Sequence, residues 1–205
     1  MSPDLTSQQK TVALLLFPDV EVLDFAGPFE VFSVAALSVD PAPFRVVTVA
    51  ATTAPILAIG GLKVTPDHDL DSCPQADVLL IPGGNGSRPA MRNDKILAWL
   101  KAQVEKAEIV ASICTGALLL GKIGLLDGLR ATTHWTAIEE LRAVSPKIDV
   151  QPQTRFIDNG KVLTSAGISA GIDMSLYLVK RLCGDTLADM VVREMEYDWR
   201  MKAAG

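Results

Sequence analysis

The 205-residue sequence contains few of the residues that build metal sites or disulfide frameworks. Its cysteines are Cys73, Cys114 and Cys183, and its histidines are His68 and His134. Because the cysteine number is odd, the spacing is wide and no CxxC pair occurs, we expect free thiols rather than disulfides, zinc ligands or a redox motif. Two histidines 66 positions apart disfavour a multi-histidine site. The sequence therefore predicts no metal, and we expect any chemistry to involve a cysteine.

Basic residues and long apolar runs are also scarce. The chain has 19 Lys and Arg against 24 Asp and Glu, a formal net charge of -5. Such a charge repels phosphate backbones and anionic lipids, so neither nucleic acid nor a membrane surface is an expected partner. Residues 1–7 lack the basic start and apolar run of a signal peptide, and no stretch reaches the ~18 apolar residues of a membrane span. These features predict a cytoplasmic protein.

The remaining composition is that of a folded globular chain. Hydrophobic residues make up 49% and charged residues 21% of the sequence, which excludes disorder, collagen and coiled coil. Chains of this length usually hold one hydrophobic core. Residues 1–205 are therefore predicted to form a single domain, without repeats or a linker.

Apolar runs alternate with segments of helical pattern. The predicted strands are 11–17, 44–50, 78–81 and 109–113. The predicted helices are 28–37, 95–105, 116–123, 136–143, 169–183 and 186–199. This alternation predicts an α/β fold with a mostly parallel sheet and helices on both faces. One antiparallel hairpin is predicted, formed by 155–157 and 161–164 around Asp158-Asn159-Gly160.

Cys114 lies where a predicted strand changes directly into a predicted helix. At such a junction the side chain projects at the carboxyl edge of the sheet, the helix amino terminus favours the thiolate, and the following amides face a developing oxyanion. The pattern resembles a nucleophile elbow, with Gly116 and Ala117 small enough for the turn. The alternative is a buried, inert cysteine at the end of a core strand. Cys73 and Cys183 have no neighbouring acid or base in sequence and are expected to be inert.

Four further segments are candidates. Pro82-Gly83-Gly84-Asn85-Gly86 follows a strand, at the edge where such sheets bind ligands, or forms a flexible turn. Asp24 lies in an apolar stretch that raises the pKa of a carboxyl, which favours a general acid/base; the alternative is a helix cap. His134 is either a base for the thiol or structural. The acidic segment 67–71 is expected to be a solvated loop rather than a metal site.

Five segments together resemble the ThiJ/PfpI superfamily over roughly residues 11–199. In chain order they are LDFAGPFEVF (23–32), PGG (82–84), SICTGA (112–117), GLLDG (124–128) and ATTHW (131–135). The resemblance implies a flavodoxin-like sandwich, a cysteine on a strained elbow, an acidic residue hydrogen-bonded to that cysteine, and a homodimer.

Two positions narrow the resemblance to one branch. Many members of the superfamily have Glu in place of Asp24, and the protease branch has His in place of Thr115, so protease activity is not expected. Asp24 with Cys114 and Thr115 is similar to the isonitrile hydratase branch, which adds water to R–N≡C to give an N-substituted formamide. This similarity implies catalytic roles for those three residues and a small-molecule isonitrile as the partner. The residues implied in substrate binding are Gly83, Gly84, His134 and Trp135.

The implied mechanism needs neither a metal nor an organic cofactor. Cys114 thiolate attacks the isonitrile carbon while Asp24 protonates that carbon, which gives a thioimidate. Water then adds with Asp24 as proton acceptor, and the tetrahedral centre lies near the amides of Gly84 and Thr115.

Other functions are compatible with the same residues. Glyoxalase or amidase chemistry would also use a cysteine and an acid, and a non-enzymatic redox or ligand sensor would use oxidation of Cys114. Residues 114–135 also resemble the amino-terminal domain of transcriptional regulators in this superfamily. The chain ends about six residues after Trp199, so we expect it to lack their DNA-binding half.

Overall fold

The computed structural model describes residues 9–199. The strands are β1 (Lys10–Leu15), β2 (Phe44–Ala50), β3 (Ile56–Leu57), β4 (Lys63–Val64), β5 (His68–Asp69), β6 (Val78–Ile81), β7 (Ile109–Ile113), β8 (Arg130–Ala131), β9 (Asp149–Val150), β10 (Phe156–Asn159) and β11 (Val162–Ser165). The α-helices are α1 (Val22–Leu37), α2 (Ser87–Ala90), α3 (Asp94–Lys106), α4 (Ala117–Lys122), α5 (Ile138–Val144), α6 (Ala170–Cys183) and α7 (Asp185–Glu194). Short 3₁₀ segments cover Ile59–Gly61, Cys114–Gly116 and Trp135–Ala137.

One seven-stranded sheet organises the described residues, in the order β10-β11-β7-β6-β1-β2-β5. All neighbouring pairs in it are parallel except β10 with β11. From β1 the chain first builds outward to β2 and then returns to place β6 on the other side of β1. The carboxyl ends of β1, β6 and β7 therefore meet at one edge, beside the point where the strand order reverses, and ligands of such sheets bind there.

Helices cover the sheet in two groups. Helices α1, α6 and α7 pack against one another, helices α2 and α5 pack against α4, and β7 contacts both α4 and α6. Every residue of β6 and β7 is buried, as expected of strands that are covered on both faces. The predicted α/β fold with a mostly parallel sheet is confirmed.

Several boundaries differ from the predicted ones. Strands β2, β6 and β7 agree residue for residue, whereas β1 begins and ends earlier than predicted. Helix α1 begins at Val22 rather than at residue 28, so Pro28 lies inside the helix. Proline there removes only the bond to the carbonyl of Asp24. Helix α7 ends at Glu194 rather than at residue 199, and Glu196 beyond it has a positive φ of 46°.

The predicted antiparallel hairpin is confirmed, and the structure contains a second one that the sequence pattern did not indicate. Strands β10 and β11 form the predicted hairpin, but Asn159 pairs with Val162, so the turn lies at residues 160–161. A second antiparallel hairpin joins β3 to β4. Strand β5 was predicted as part of a loop, yet it pairs with β2 at the sheet edge. These strands are two residues long, too short to produce a hydrophobic period in the sequence. No helix within residues 9–199 is long and apolar enough to span a membrane.

An ion pair links Arg155, the residue just before β10, to Asp173 in α6. Arg155 Nε bonds to Asp173 Oδ2, and the Asp173 side chain is 0% exposed. Asp173 lies in the first turn of α6, where the helix dipole stabilises a negative charge. Arg155 Nη2 also lies 3.4 Å from Ser169 Oγ.

We predict that Arg155→Ala lowers the free energy of unfolding by about 3–5 kcal/mol, because it leaves the buried Asp173 carboxylate without its cationic partner. Arg142→Ala is the control, since its pair with Glu139 is exposed and its loss is expected to cost within about 1 kcal/mol. Urea unfolding of both variants measures the difference. Equal losses in the two variants would show that the buried charge of Asp173 does not depend on Arg155 for its stability.

Candidate active site

Cys114 occupies a strained turn at the carboxyl end of β7. Its φ is 55°, a conformation that L-residues rarely adopt, and its side chain is 5% exposed. Gly116 makes the turn possible, since a Cβ at this position would lie 2.0 Å from the carbonyl oxygen of Ile81. The Cys114 amide donates to Ala166 O at 3.2 Å, and Thr133 Oγ1 donates to Cys114 O at 2.8 Å. The predicted elbow is thus present, and hydrogen bonds to both the amide and the carbonyl of Cys114 stabilise it.

The segment Gly83-Gly84 connects this elbow to the start of α1. Gly83 accepts from the Glu21 amide at 3.0 Å, and a Cβ on Gly83 would lie 2.4 Å from the Thr115 nitrogen. Gly84 has a φ of 114°, and its Cβ would lie 2.4 Å from the Glu21 nitrogen. Both positions therefore require glycine, because three backbone segments approach one another here. The segment is a packed junction rather than a flexible turn.

Asp24 is a buried carboxyl group in the first turn of α1, with 0% exposure. Its Oδ2 accepts from the Gly83 amide at 3.0 Å, whereas Oδ1 makes no hydrogen bond. Burial raises the pKa of Asp24 to about 7, although the Gly83 amide and the nearby Cys114 thiol lower it. The alternative of a helix cap does not hold, since the side chain accepts from Gly83 and not from α1. A carboxyl with this pKa can both accept and donate a proton near neutral pH.

The pKa of the Cys114 thiol is raised, whereas the sequence predicted that the helix amino terminus would lower it. Its pKa is raised to about 12, first by burial and then by the negative charge of Asp24. Hydrogen bonds from the amide and hydroxyl of Thr115 lower the pKa without reversing this. The helix that follows begins as a 3₁₀ turn and continues for only six residues as α4, so its dipole offers little compensation. Burial and the Asp24 charge thus both favour the protonated thiol.

Thr115, the residue after Cys114, connects the elbow to the glycine segment by hydrogen bonds. Its Oγ1 accepts from the Gly84 amide at 2.9 Å and lies 3.1 Å from both Gly84 O and Ser87 Oγ. The mechanism implied by the sequence places the tetrahedral centre near the Gly84 amide. That amide already donates to Thr115, so it is not free to stabilise such a centre. The Thr115 amide instead faces the Cys114 sulfur.

A cavity of about 140 Å³ opens above the cysteine. Its lining includes Cys114, Thr115, Gly84 and His134 among the residues predicted from sequence. It also includes Asn85, which belongs to the candidate segment 82–86, and Ile168. The residues that sequence reasoning missed are Glu21, Ile59, Arg88 and Thr136. Glu21 is one helical turn before Asp24, and Arg88 lies in α2 just after the glycine segment, so proximity to known motifs was the only available signal.

The other predicted binding residues have different positions. Gly83 supports Asp24 and does not line the cavity. Trp135 is 79% exposed and lines a neighbouring cavity of about 600 Å³, which shares His134 and Ile168 with the first. His134 Nδ1 lies 2.7 Å from Thr136 Oγ1, so this nitrogen pairs with Thr136 rather than with the Cys114 thiol.

The acidic segment 67–71 serves the fold. Asp67 Oδ2 accepts from both the amide and the hydroxyl of Thr48 at 2.8 Å. Asp69 Oδ1 accepts from the Ser72 hydroxyl at 2.6 Å. Within the described part of the chain, no group of three or more His, Cys, Asp or Glu side chains is placed to hold a metal ion.

The fold and the elbow define a flavodoxin-like α/β protein with a cysteine and an acid at the carboxyl edge of its sheet. The sequence profile of the DJ-1/PfpI family matches residues 10–181. The chain therefore belongs to the DJ-1/PfpI family, which confirms the resemblance seen in the sequence.

Known relatives differ in function. An isonitrile hydratase of Pseudomonas putida is 38% identical over 186 residues, which are 91% of this chain and 78% of that protein. The transcriptional regulator CdhR of Pseudomonas aeruginosa is 33% identical over 86% of this chain, which spans only 52% of the regulator. The crystal structure of a ThiJ/PfpI family protein from Pseudomonas syringae superimposes with a TM-score of 0.84 at 29% identity and covers 97% of this chain and 81% of that one.

We predict that Thr133→Val lowers the free energy of unfolding by about 1–3 kcal/mol, because the buried Cys114 carbonyl loses its hydroxyl donor. Thr133→Ser keeps the hydroxyl and is expected to retain most of that stability. Urea unfolding of the two variants beside wild type measures the loss. A Thr133→Val protein as stable as wild type would show that the bond does not support the elbow.

Proposed function

We propose that this protein is an isonitrile hydratase, in which Cys114 is the nucleophile and Asp24 the general acid and base. The observation that carries the proposal is a buried thiol beside a buried carboxyl of pKa about 7, under a small cavity. Similarity to the Pseudomonas putida isonitrile hydratase supports the choice of substrate.

The first half-reaction adds the thiol across the terminal carbon of the isonitrile. Asp24 carboxylate accepts the Cys114 proton through its free Oδ1 as the sulfur attacks the carbon, and then delivers that proton to the same carbon. The product is the thioimidate R–N=CH–S–Cys114. A pKa of about 7 suits Asp24 to both transfers, since a much lower value would prevent delivery and a much higher one would prevent acceptance.

The second half-reaction adds water to the thioimidate carbon. One proton of water finishes on the substrate nitrogen and the other on the Cys114–Asp24 pair as the sulfur leaves, which releases R–NH–CHO. The Thr115 amide, which faces the sulfur, stabilises the thiolate as the carbon–sulfur bond breaks. Thr115 Oγ1 acts through the Gly84 segment that supports Asp24, so Thr115 contributes mainly by positioning.

Gly84 and His134 are proposed to border the substrate, since both line the cavity above Cys114. The N-substituent would extend toward the larger neighbouring cavity past His134 and Ile168. Trp135 would contact only that distal part of the substrate.

The direct test is incubation of the purified protein with cyclohexyl isocyanide, with the formamide followed by mass spectrometry. Wild type is expected to produce formamide, while Cys114→Ala loses turnover and Asp24→Asn loses at least about 10²-fold in kcat. Circular dichroism of both variants checks that they remain folded.

Three results would decide against the proposal. Full turnover by Asp24→Asn would remove the acid/base role, and full turnover by Cys114→Ala would remove the covalent step. Absence of formamide from folded wild type, together with consumption of methylglyoxal, would assign carbonyl chemistry to the same cysteine and acid.

A further inference from the structure

Hydration of the thioimidate moves two protons of water to two different places, and this requirement goes beyond what Asp24 alone can do. The argument rests on the proposed function. One proton must reach the substrate nitrogen, and the second must return to the Cys114–Asp24 pair when the tetrahedral centre collapses. A base that faces the incoming water is needed for the first of these.

Asp24 has only one oxygen available. Its Oδ2 is occupied by the Gly83 amide at 3.0 Å, and its Oδ1 is the atom left to exchange a proton with the Cys114 sulfur. The side chain is fully buried, so water from the cavity does not reach it freely. Asp24 is therefore placed for the sulfur side of the reaction.

Glu21 is a second carboxylate at the same site, and it lines the cavity above Cys114. Its backbone is fixed because its amide donates to Gly83 O at 3.0 Å and its carbonyl accepts from the Asp24 amide at 3.2 Å. Its side chain does not cap α1. Among residues 9–199 it makes no hydrogen bond or ion pair.

The basic groups that line the cavity are paired with residues other than Glu21. Arg88 also lines the cavity, but its Nη2 pairs with Glu140 Oε2 at 2.6 Å. His134 Nδ1 lies 2.7 Å from Thr136 Oγ1, and the other edge of its ring packs against Gly167, where a Cβ would lie 2.2 Å from Cδ2. Glu21 is thus a partly exposed carboxylate on the wall of the cavity with no competing partner, and it sits within the electrostatic range of Asp24.

We infer that Glu21 is the general base of the second half-reaction. Glu21 carboxylate accepts a proton from water as the water oxygen bonds to the thioimidate carbon, and Glu21 then gives that proton to the substrate nitrogen. The hydroxyl proton of the tetrahedral centre passes to Asp24 as the carbon–sulfur bond breaks. Each carboxylate ends as it began once Asp24 has returned its proton to Cys114, so the two steps balance.

The test is a comparison of Glu21→Gln with wild type on cyclohexyl isocyanide, by rapid quench and intact mass spectrometry. The variant is expected still to form the Cys114 adduct, since Cys114 and Asp24 are both present, and to hydrolyse that adduct at least about 10²-fold more slowly than wild type. Protein heavier by one isonitrile should therefore accumulate in Glu21→Gln and not in wild type. A merely structural role for Glu21 would not produce this build-up.

Glu30→Gln is the matched control, because Glu30 is an exposed carboxylate on α1 that does not line the cavity. It should retain the wild-type kcat and accumulate no adduct. Wild-type kcat in Glu21→Gln, a rise in KM alone, or slower turnover without adduct would overturn the inference. Accumulation in His134→Gln but not in Glu21→Gln would assign the base to His134 instead. If wild type forms neither adduct nor formamide, the proposed function fails, and the role of Glu21 fails with it.

Discussion

The burial of the Asp24 carboxyl beneath the Cys114 elbow is the constraint on which the rest of the site depends. An ionised carboxylate away from water is costly unless hydrogen bonds compensate it. The Gly83 amide donates to Asp24 at 3.0 Å, and the Cys114 thiol and the Ile168 backbone also lower the pKa of this buried carboxyl. The remaining cost appears as a pKa of about 7. Burial and then the same negative charge raise the pKa of the Cys114 thiol, so the protonation of each group influences that of the other.

This arrangement forces three segments of backbone together. The start of α1 brings Asp24, the segment after β6 brings Gly83 and Gly84, and the turn after β7 brings Cys114. Side chains at the two glycines would collide with the Glu21 and Thr115 backbones. Because β1, β6 and β7 are adjacent parallel strands, their carboxyl ends supply all three segments at one edge of the sheet. The parallel topology therefore brings Cys114 and Asp24 to one edge of the sheet, and the glycines permit the close approach.

The features that sequence predicted well are those set by local pattern. Continuous apolar runs located β2, β6 and β7, and the direct change of pattern at Cys114 located the elbow. The start of α1 was misplaced because Pro28 is typical of a first helical turn, whereas tertiary contacts of Val22 and Phe25 extend the helix before it. The direction of the Cys114 pKa depends on burial and on Asp24, which are distant in sequence. The bond from Thr115 to Gly84 and the position of Glu21 on the cavity wall likewise arise only when the three segments meet.

The pH dependence of Cys114 alkylation by iodoacetamide tests this account most directly, measured by intact mass in a Cys73→Ser, Cys183→Ser background with and without Asp24→Asn. Asp24 is one cause of the high pKa of Cys114. Its neutral replacement should therefore shift the alkylation profile to lower pH and make the cysteine more reactive at neutral pH. A profile that is unchanged or shifted to higher pH would show that Asp24 does not hold the proton on the sulfur, and would contradict the coupled pair.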